Sequence, residues 1–200
     1  NEEYTLAYER AQMYLESYTY QKAKDIIILK INEIENKANL LKDYIIKDCQ
    51  ENIKILAYSE VLLTVDSKIN RLKKTKAHES LFQFSENIKA CQDIHNKAIK
   101  MIEGKAMIPV NYQEMDGAFD AEYKIQSCTT KAIIFAFESK REKEEQTKII
   151  TWPKLEKPKI YLVYDSILSH YNKQDEFKDQ MAAFITIHNI SNKDLEIRIK

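Results

Sequence analysis

The sequence is short of glycine and proline: it has two of the first and three of the second in 200 residues, and none before Gly104. With so little glycine there is no Gly-rich loop to cradle a phosphate, which argues against nucleotide binding through a known loop. Net charge is missing as well. Lys and Arg number 31, as do Asp and Glu. The composition therefore lacks the basic surplus of a nucleic-acid binder and exerts no general pull toward anionic membranes. Cysteine is limited to Cys49, Cys91 and Cys128. An odd number without paired spacing argues against a disulfide framework and for a reducing, cytoplasmic setting. The longest apolar run, AIIFAF at 132–137, is strand-sized, so no membrane-spanning helix is expected, and no signal peptide is evident. The chain opens at NEEY without an initiator Met. It is expected to be cut from something longer, in which a further domain can hold an activity.

What the chain has in abundance is helix-forming sequence. The stretch ahead of Gly104 is rich in Lys, Glu, Ile, Leu and Ala, residues that suit helix interiors, where Gly and Pro cost roughly 1 and 3 kcal/mol relative to Ala. After Gly104, a plausible helix C′ residue, Pro109, Gly117, Pro153 and Pro158 punctuate shorter apolar segments. The expected organisation is therefore a helical coiled-coil region over 1–103 and a mixed, mostly β module over 104–200.

The helical region has a seam. Ile27, Ile31, Ile34, Ala38, Leu41 and Ile45 follow alternating steps of four and three among mainly Lys, Glu, Asn and Asp. That is a heptad stripe, narrower than the buried face of a globular helix. Four-residue steps through Cys49 and Ile53, then a step of three to Leu56, unwind the register locally. Tyr58, Leu62, Val65, Ile69 and Leu72 resume it. The charged segment RLKKTKAHES that follows is a turn or a solvated stretch of one rod; the lack of Gly and Pro favours continuity. A helix from Ile27 to Leu72 would be about 70 Å long and would need a partner helix. Ahead of the seam, five tyrosines (Tyr4, Tyr8, Tyr14, Tyr18 and Tyr20) crowd the first 23 residues. They read as half-exposed packing of an N-terminal helix.

The C-terminal half reads as strands. KIYLVYD at 159–165 and AAFITIHNI at 182–190 are apolar on both faces, and DLEIRIK at 194–200 alternates strictly. NISNKD between the last two is turn chemistry, either a hairpin or a short loop. KAIIFAF is a further candidate strand, and ESKREKEEQTK is a charge run suited to a solvated loop or helix end. The fold class expected is α+β: mainly α, with long coiled-coil helices followed by a small antiparallel β domain, sandwich-like in outline. Its last strand would reach the end of the chain.

The most tempting short motif is CQDIH, with Cys91 and His95 four apart. A structural zinc site needs four ligands and a catalytic one three, and the only other His within twenty residues is His78. Leu81, Phe84, Ile88, Cys91, His95, Ala98 and Ile102 continue the heptad steps. Cys91 then serves as a small apolar filler and His95 as a polar seam residue, with its pKa lowered by burial. On this reading His95→Leu would stabilise the rod. Glu142, Glu144 and Glu145 lie in a charge run, and His170 and His188 lie in the presumed β region. RLKKTK reads as a solvated basic patch, and no cysteine carries a catalytic signature.

No catalytic residue, metal ligand or cofactor is expected. The functional expectation is a scaffold: a homo-oligomer, such as a dimer, with a protein partner bound through the C-terminal module. The oligomer interface expected from the seam comprises Ile27, Ile31, Ile34, Leu41, Ile45, Leu62, Val65, Ile69, Leu72, Ile88, Cys91 and His95. The outline of a long helix followed by a β domain is similar to that of tripartite-motif ubiquitin ligases. That resemblance implies the dimerising segment of a larger enzyme, with RING and B-box zinc domains ahead of Asn1.

Overall fold

The computed structural model describes residues 3–102, 106–110, 123–138 and 145–196. The fold is mainly α with an antiparallel β module in its C-terminal half. Helices α1 (Glu3–Ser17), α2 (Gln21–Lys54), α3 (Tyr58–Ile69) and α4 (Lys76–Met101) come first. Strands β1 (Ile108–Pro109), β2 (Tyr123–Cys128), β3 (Ala132–Glu138) and β4 (Glu145–Thr151) follow, and then helices α5 (Lys157–His170), α6 (Lys178–His188) and α7 (Asn192–Glu196). The chain divides into two compact units, one of residues 1–53 and 57–86, the other of 54–56 and 87–200. Gly104, expected to mark a boundary, lies outside the described residues, as do Glu142, Glu144 and residues 197–200.

In the first unit the helix expected to run from Ile27 to Leu72 is broken twice. It ends at Lys54, where Leu56 takes φ 61° and the Ala57 N–H donates to the Asn52 carbonyl at 2.8 Å. This is a left-handed C-terminal reversal made without glycine. A second reversal follows the 3₁₀ turn Asn70–Leu72, with Lys74 at φ 68°. Thr75 then caps α4, its hydroxyl accepting from the His78 N–H and donating to the Leu72 carbonyl. The Glu35 carboxylate accepts the Lys76 N–H at 3.1 Å. A left-handed non-Gly residue costs on the order of 1–2 kcal/mol, little enough for caps and tertiary burial to offset. The absence of glycine was therefore a weak argument for continuity.

The reversals let the chain supply its own partner helices. α3 returns antiparallel along α2, so that Lys68 reaches Asp48 at 2.9 Å. α1 is tied to the second reversal by Thr5, whose hydroxyl donates to the Lys73 carbonyl at 3.0 Å, and by a Glu9–Lys74 pair at 3.1 Å. Ala38, Ile45, Cys49 and Ile53 of α2, Val61 and Val65 of α3, and Leu72, Ala77 and Leu81 are buried. Part of the seam is thus covered within one chain, while Ile27, Ile31, Ile34, Leu41, Leu62 and Ile69 are half-buried.

In the second unit the four strands form one sheet in the order β1-β2-β3-β4, antiparallel throughout. Ile125, Phe135 and Lys148 lie side by side in register, as do Ile133 and Ile150. Ile125, Ile133 and Phe135 are buried, which identifies the covered face. A bulge near Gln126 shifts the β2–β3 register, and the Gln126 carbonyl accepts the Ala106 N–H at 3.2 Å.

The segments at 159–165 and 182–190, expected as strands, are helical. α5 starts with Pro158 in its first turn, where the missing N–H costs nothing. Its buried residues Ile160, Val163, Tyr164, Ile167 and Leu168 recur at helical spacing. Two apolar faces signalled burial, and burial does not distinguish a strand from a core helix. α6 ends at Asn189, in the left-handed conformation at φ 50°. The presumed strand from 194 also begins as a helix: α7 opens on a capping box, in which Asp194 accepts the Ser191 N–H at 2.9 Å while Ser191 Oγ accepts the Asp194 N–H at 3.3 Å. Only residues 189–191 of NISNKD form the connection; 192–194 already belong to α7, so the elements joined are helices. KAIIFAF lies in β3, and the tail of the charge run enters β4.

Candidate functional site

CQDIH lies on the part of α4 that belongs to the second unit. Cys91 is fully buried and His95 is only 8% exposed. The imidazole Nδ1 and Tyr164 Oη of α5 are 2.6 Å apart, in a hydrogen bond that either tautomer can make. The ring stands edge-on to Trp152 with centroids 5.0 Å apart, and the indole N–H donates to the Thr129 carbonyl at 2.8 Å. The helix packs the imidazole, Trp152 anchors the β2–β3 turn, and the Tyr164 hydroxyl joins the two.

Burial governs the electrostatics of this cluster. It pushes the His95 pKa down to about 4. It drives the Cys91 and Cys128 thiols up to about 12. It also holds Tyr164 well above the ordinary phenol range, helped by the neighbouring Cys91 and Cys128. Thiols held in the neutral form are poor nucleophiles, and no group of three potential metal ligands forms among the described residues. The geometry argues against the expectation that His95→Leu would stabilise the protein. Leucine would strand the buried Tyr164 hydroxyl.

A second cluster lies where α5 begins. The Lys157 ammonium donates to the Lys54 carbonyl at 2.6 Å, a cation on the orphan carbonyl of a helix end. His188 lies against the Phe184 ring at 4.3 Å. Its pKa falls to about 4, first through burial and then through the charge of Lys157. Both groups line a shallow cleft together with Glu156, Pro158, Asn189, Ile190 and Asp194. His170 is exposed and stacks edge-on to Tyr171.

Polar and apolar surface features complete the inventory. β4 forms one edge of the sheet. A cleft of about 390 Å³ beside it is lined by Lys148, Ile149, Ile150, Lys154, Glu156 and Lys159, among others. Ile149 is exposed. In the first unit, the stretch from Leu6 to Tyr44 leaves ten large apolar side chains open to solvent, including Met13, Tyr14, Tyr18 and Tyr20. On α2, Ile26, Leu29, Leu40 and Tyr44 are 61%, 62%, 69% and 63% exposed.

The residues expected at an oligomer interface are distributed differently. Ile45, Val65, Leu72, Ile88, Cys91 and His95 are buried within the chain, while Ile27, Ile31, Ile34, Leu41, Leu62 and Ile69 are half-buried. The exposed stripe is a second face of α2. Its apolar residues, Ile26, Leu29, Leu40 and Tyr44, form two separated pairs rather than a continuous repeat. Among the described residues no helix is long and apolar enough to cross a membrane. The chain matches no protein-family model, no curated protein and no solved structure.

Proposed function

We propose that this chain is a non-enzymatic scaffold module that self-associates through the exposed apolar surface of α1 and α2. The observation carrying this reading is the concentration of exposed Leu, Ile, Met and Tyr between Leu6 and Tyr44, on α1, which among the described residues buries only Thr5, and on α2, whose buried residues begin at Ala38. A contiguous apolar surface of this kind marks an interaction site on a soluble protein, and Tyr and Met suit interfaces that are half wet. The raised thiol pKa values of buried Cys91 and half-buried Cys128 speak against nucleophilic chemistry at this cluster.

The second unit supplies the surface for a protein partner. The edge of β4 offers backbone groups for strand addition, and the adjoining lysines, Lys148, Lys154 and Lys159 against Glu156, favour an acidic segment. The ligase reading drew on a continuous long helix ahead of a β domain; the helix is interrupted at Leu56 and Lys74, and no observation favours that reading over the scaffold. Light scattering coupled to size exclusion tests self-association directly. An oligomer at micromolar to tens-of-micromolar concentration is expected, and a monomer at 100 µM would overturn the proposal.

A further inference from the structure

We infer that α2 pairs with α2 of a second copy in antiparallel orientation, about a two-fold axis near residue 35. This rests on the self-association reading and specifies its geometry. On a helix of 3.6 residues per turn, Ile26, Leu29, Glu33, Lys37, Leu40 and Tyr44 fall within one sector of about 80°. That sector is centred about 120° from the seam that faces the unit's own core. The apolar members are more than half exposed.

The order of residues along this stripe is what selects the partner. Read from either end toward the centre it gives two apolar residues and then one charge, and the two central charges have opposite sign. In an antiparallel pair, residues face each other when their numbers sum to a constant. Ile26 then meets Tyr44, Leu29 meets Leu40 to within one residue, and Glu33 meets Lys37. The two-fold axis repeats each meeting, as an isologous interface requires. A parallel in-register pair would instead set Glu33 against Glu33 and Lys37 against Lys37. The same two charges thus favour one orientation and oppose the other. The Glu33 side chain is 56% exposed and paired with Lys30 at 2.9 Å, an exposed pair of the kind worth little, so exchanging or sharing it with Lys37 of a second copy costs little. From Ile26 to Tyr44 the contact is about 27 Å long, and α1 can widen it with Met13, Tyr14 and Tyr18.

The test combines charge reversal with cross-linking on the full chain. Light scattering should show a dimer. Glu33→Lys and Lys37→Glu should each weaken it roughly tenfold, since two attractive pairs become repulsive, and the double reversal should restore it. When chains carrying Ile26→Cys are mixed with chains carrying Tyr44→Cys under mild oxidation, heterodisulfides should dominate. A dimer that ignores the single reversals, or in which Ile26→Cys chains link to one another, overturns the antiparallel pairing and leaves self-association standing. A monomer overturns both. All four positions are solvent-facing, so circular dichroism should be unchanged in every variant. Glu33 and Lys37 also interact within one helix, so the cross-linking arm, which does not depend on that pair, separates the antiparallel contact from a change in helix stability.

Discussion

Among the described residues, His95 is the one hydrogen-bond partner of Tyr164 Oη, and replacing it by leucine removes that partner. Tyr164 is fully buried, so water does not replace that partner. A stranded buried hydroxyl costs about 1–3 kcal/mol. Losing the edge-on contact with Trp152 adds a few tenths to about 1 kcal/mol. Against this, leucine fills similar space and buries more apolar surface, recovering about 1 kcal/mol. The net expectation is destabilisation by about 1–2 kcal/mol. At a urea m-value of about 2 kcal/mol per molar, the midpoint falls by roughly 0.5–1 M. Trp152 is the only tryptophan in the chain and touches His95, so its fluorescence reports this unit directly. Adding Tyr164→Phe removes the stranded hydroxyl and should recover at least half of the loss. Each change alone should cost more than its share of the pair, giving a clear coupling energy. A His95→Leu midpoint equal to or above that of the unmodified chain would refute the reasoning.

Three further outcomes follow from the same structure. His95 and His188 both have folded pKa values lowered from 6.5 to about 4. Unfolding therefore takes up protons, and stability present above pH 6.5 is lost as pH falls toward 4, with a slope of up to about 1.4 kcal/mol per pH unit for each group. Urea titrations at pH 7.5, 5.5 and 4.5 would show this, and a flat profile would contradict it. Leu40→Lys with Tyr44→Lys should abolish the dimer while leaving the thermal melt of the dilute protein within about 0.5 kcal/mol, as expected of exposed positions; a large loss of helicity would show that the stripe is structural. Thr75→Ala should cost about 1 kcal/mol by removing the cap of α4, read by circular dichroism melts, and no change would mean that the Glu35 contact suffices alone.

Periodicity made the helical half largely legible. The seam residues Ile45, Cys49, Val65 and Leu72 were correctly placed on buried faces, because a repeating apolar step records which side of a helix is covered. It does not record what covers it. Self-pairing and pairing with a second copy leave the same stripe, so the seam alone does not say which face of α2 a second copy would take. The reversals at Leu56 and Lys74 were illegible because neither position carries a residue that favours a left-handed backbone. KIYLVYD was misassigned for a different reason. Its β-branched and aromatic residues favour strands slightly, and the helical spacing emerges only when Ile167 and Leu168 are included. The role of His95 needed Tyr164, which lies 69 positions away and leaves no local signal.

Those two glycine-free reversals also govern the order in which the first unit can assemble. A turn written as Asn-Gly forms early, because the local chain prefers it. At Leu56 and Lys74 the local preference runs the other way, toward continuing the helix. The bends become favourable only once Val61, Val65, Leu72 and Leu81 have neighbours to bury against. The helices of this unit are thus expected to gain their arrangement in one cooperative event. A fragment that lacks α3 or the start of α4 would leave α2 free to run straight.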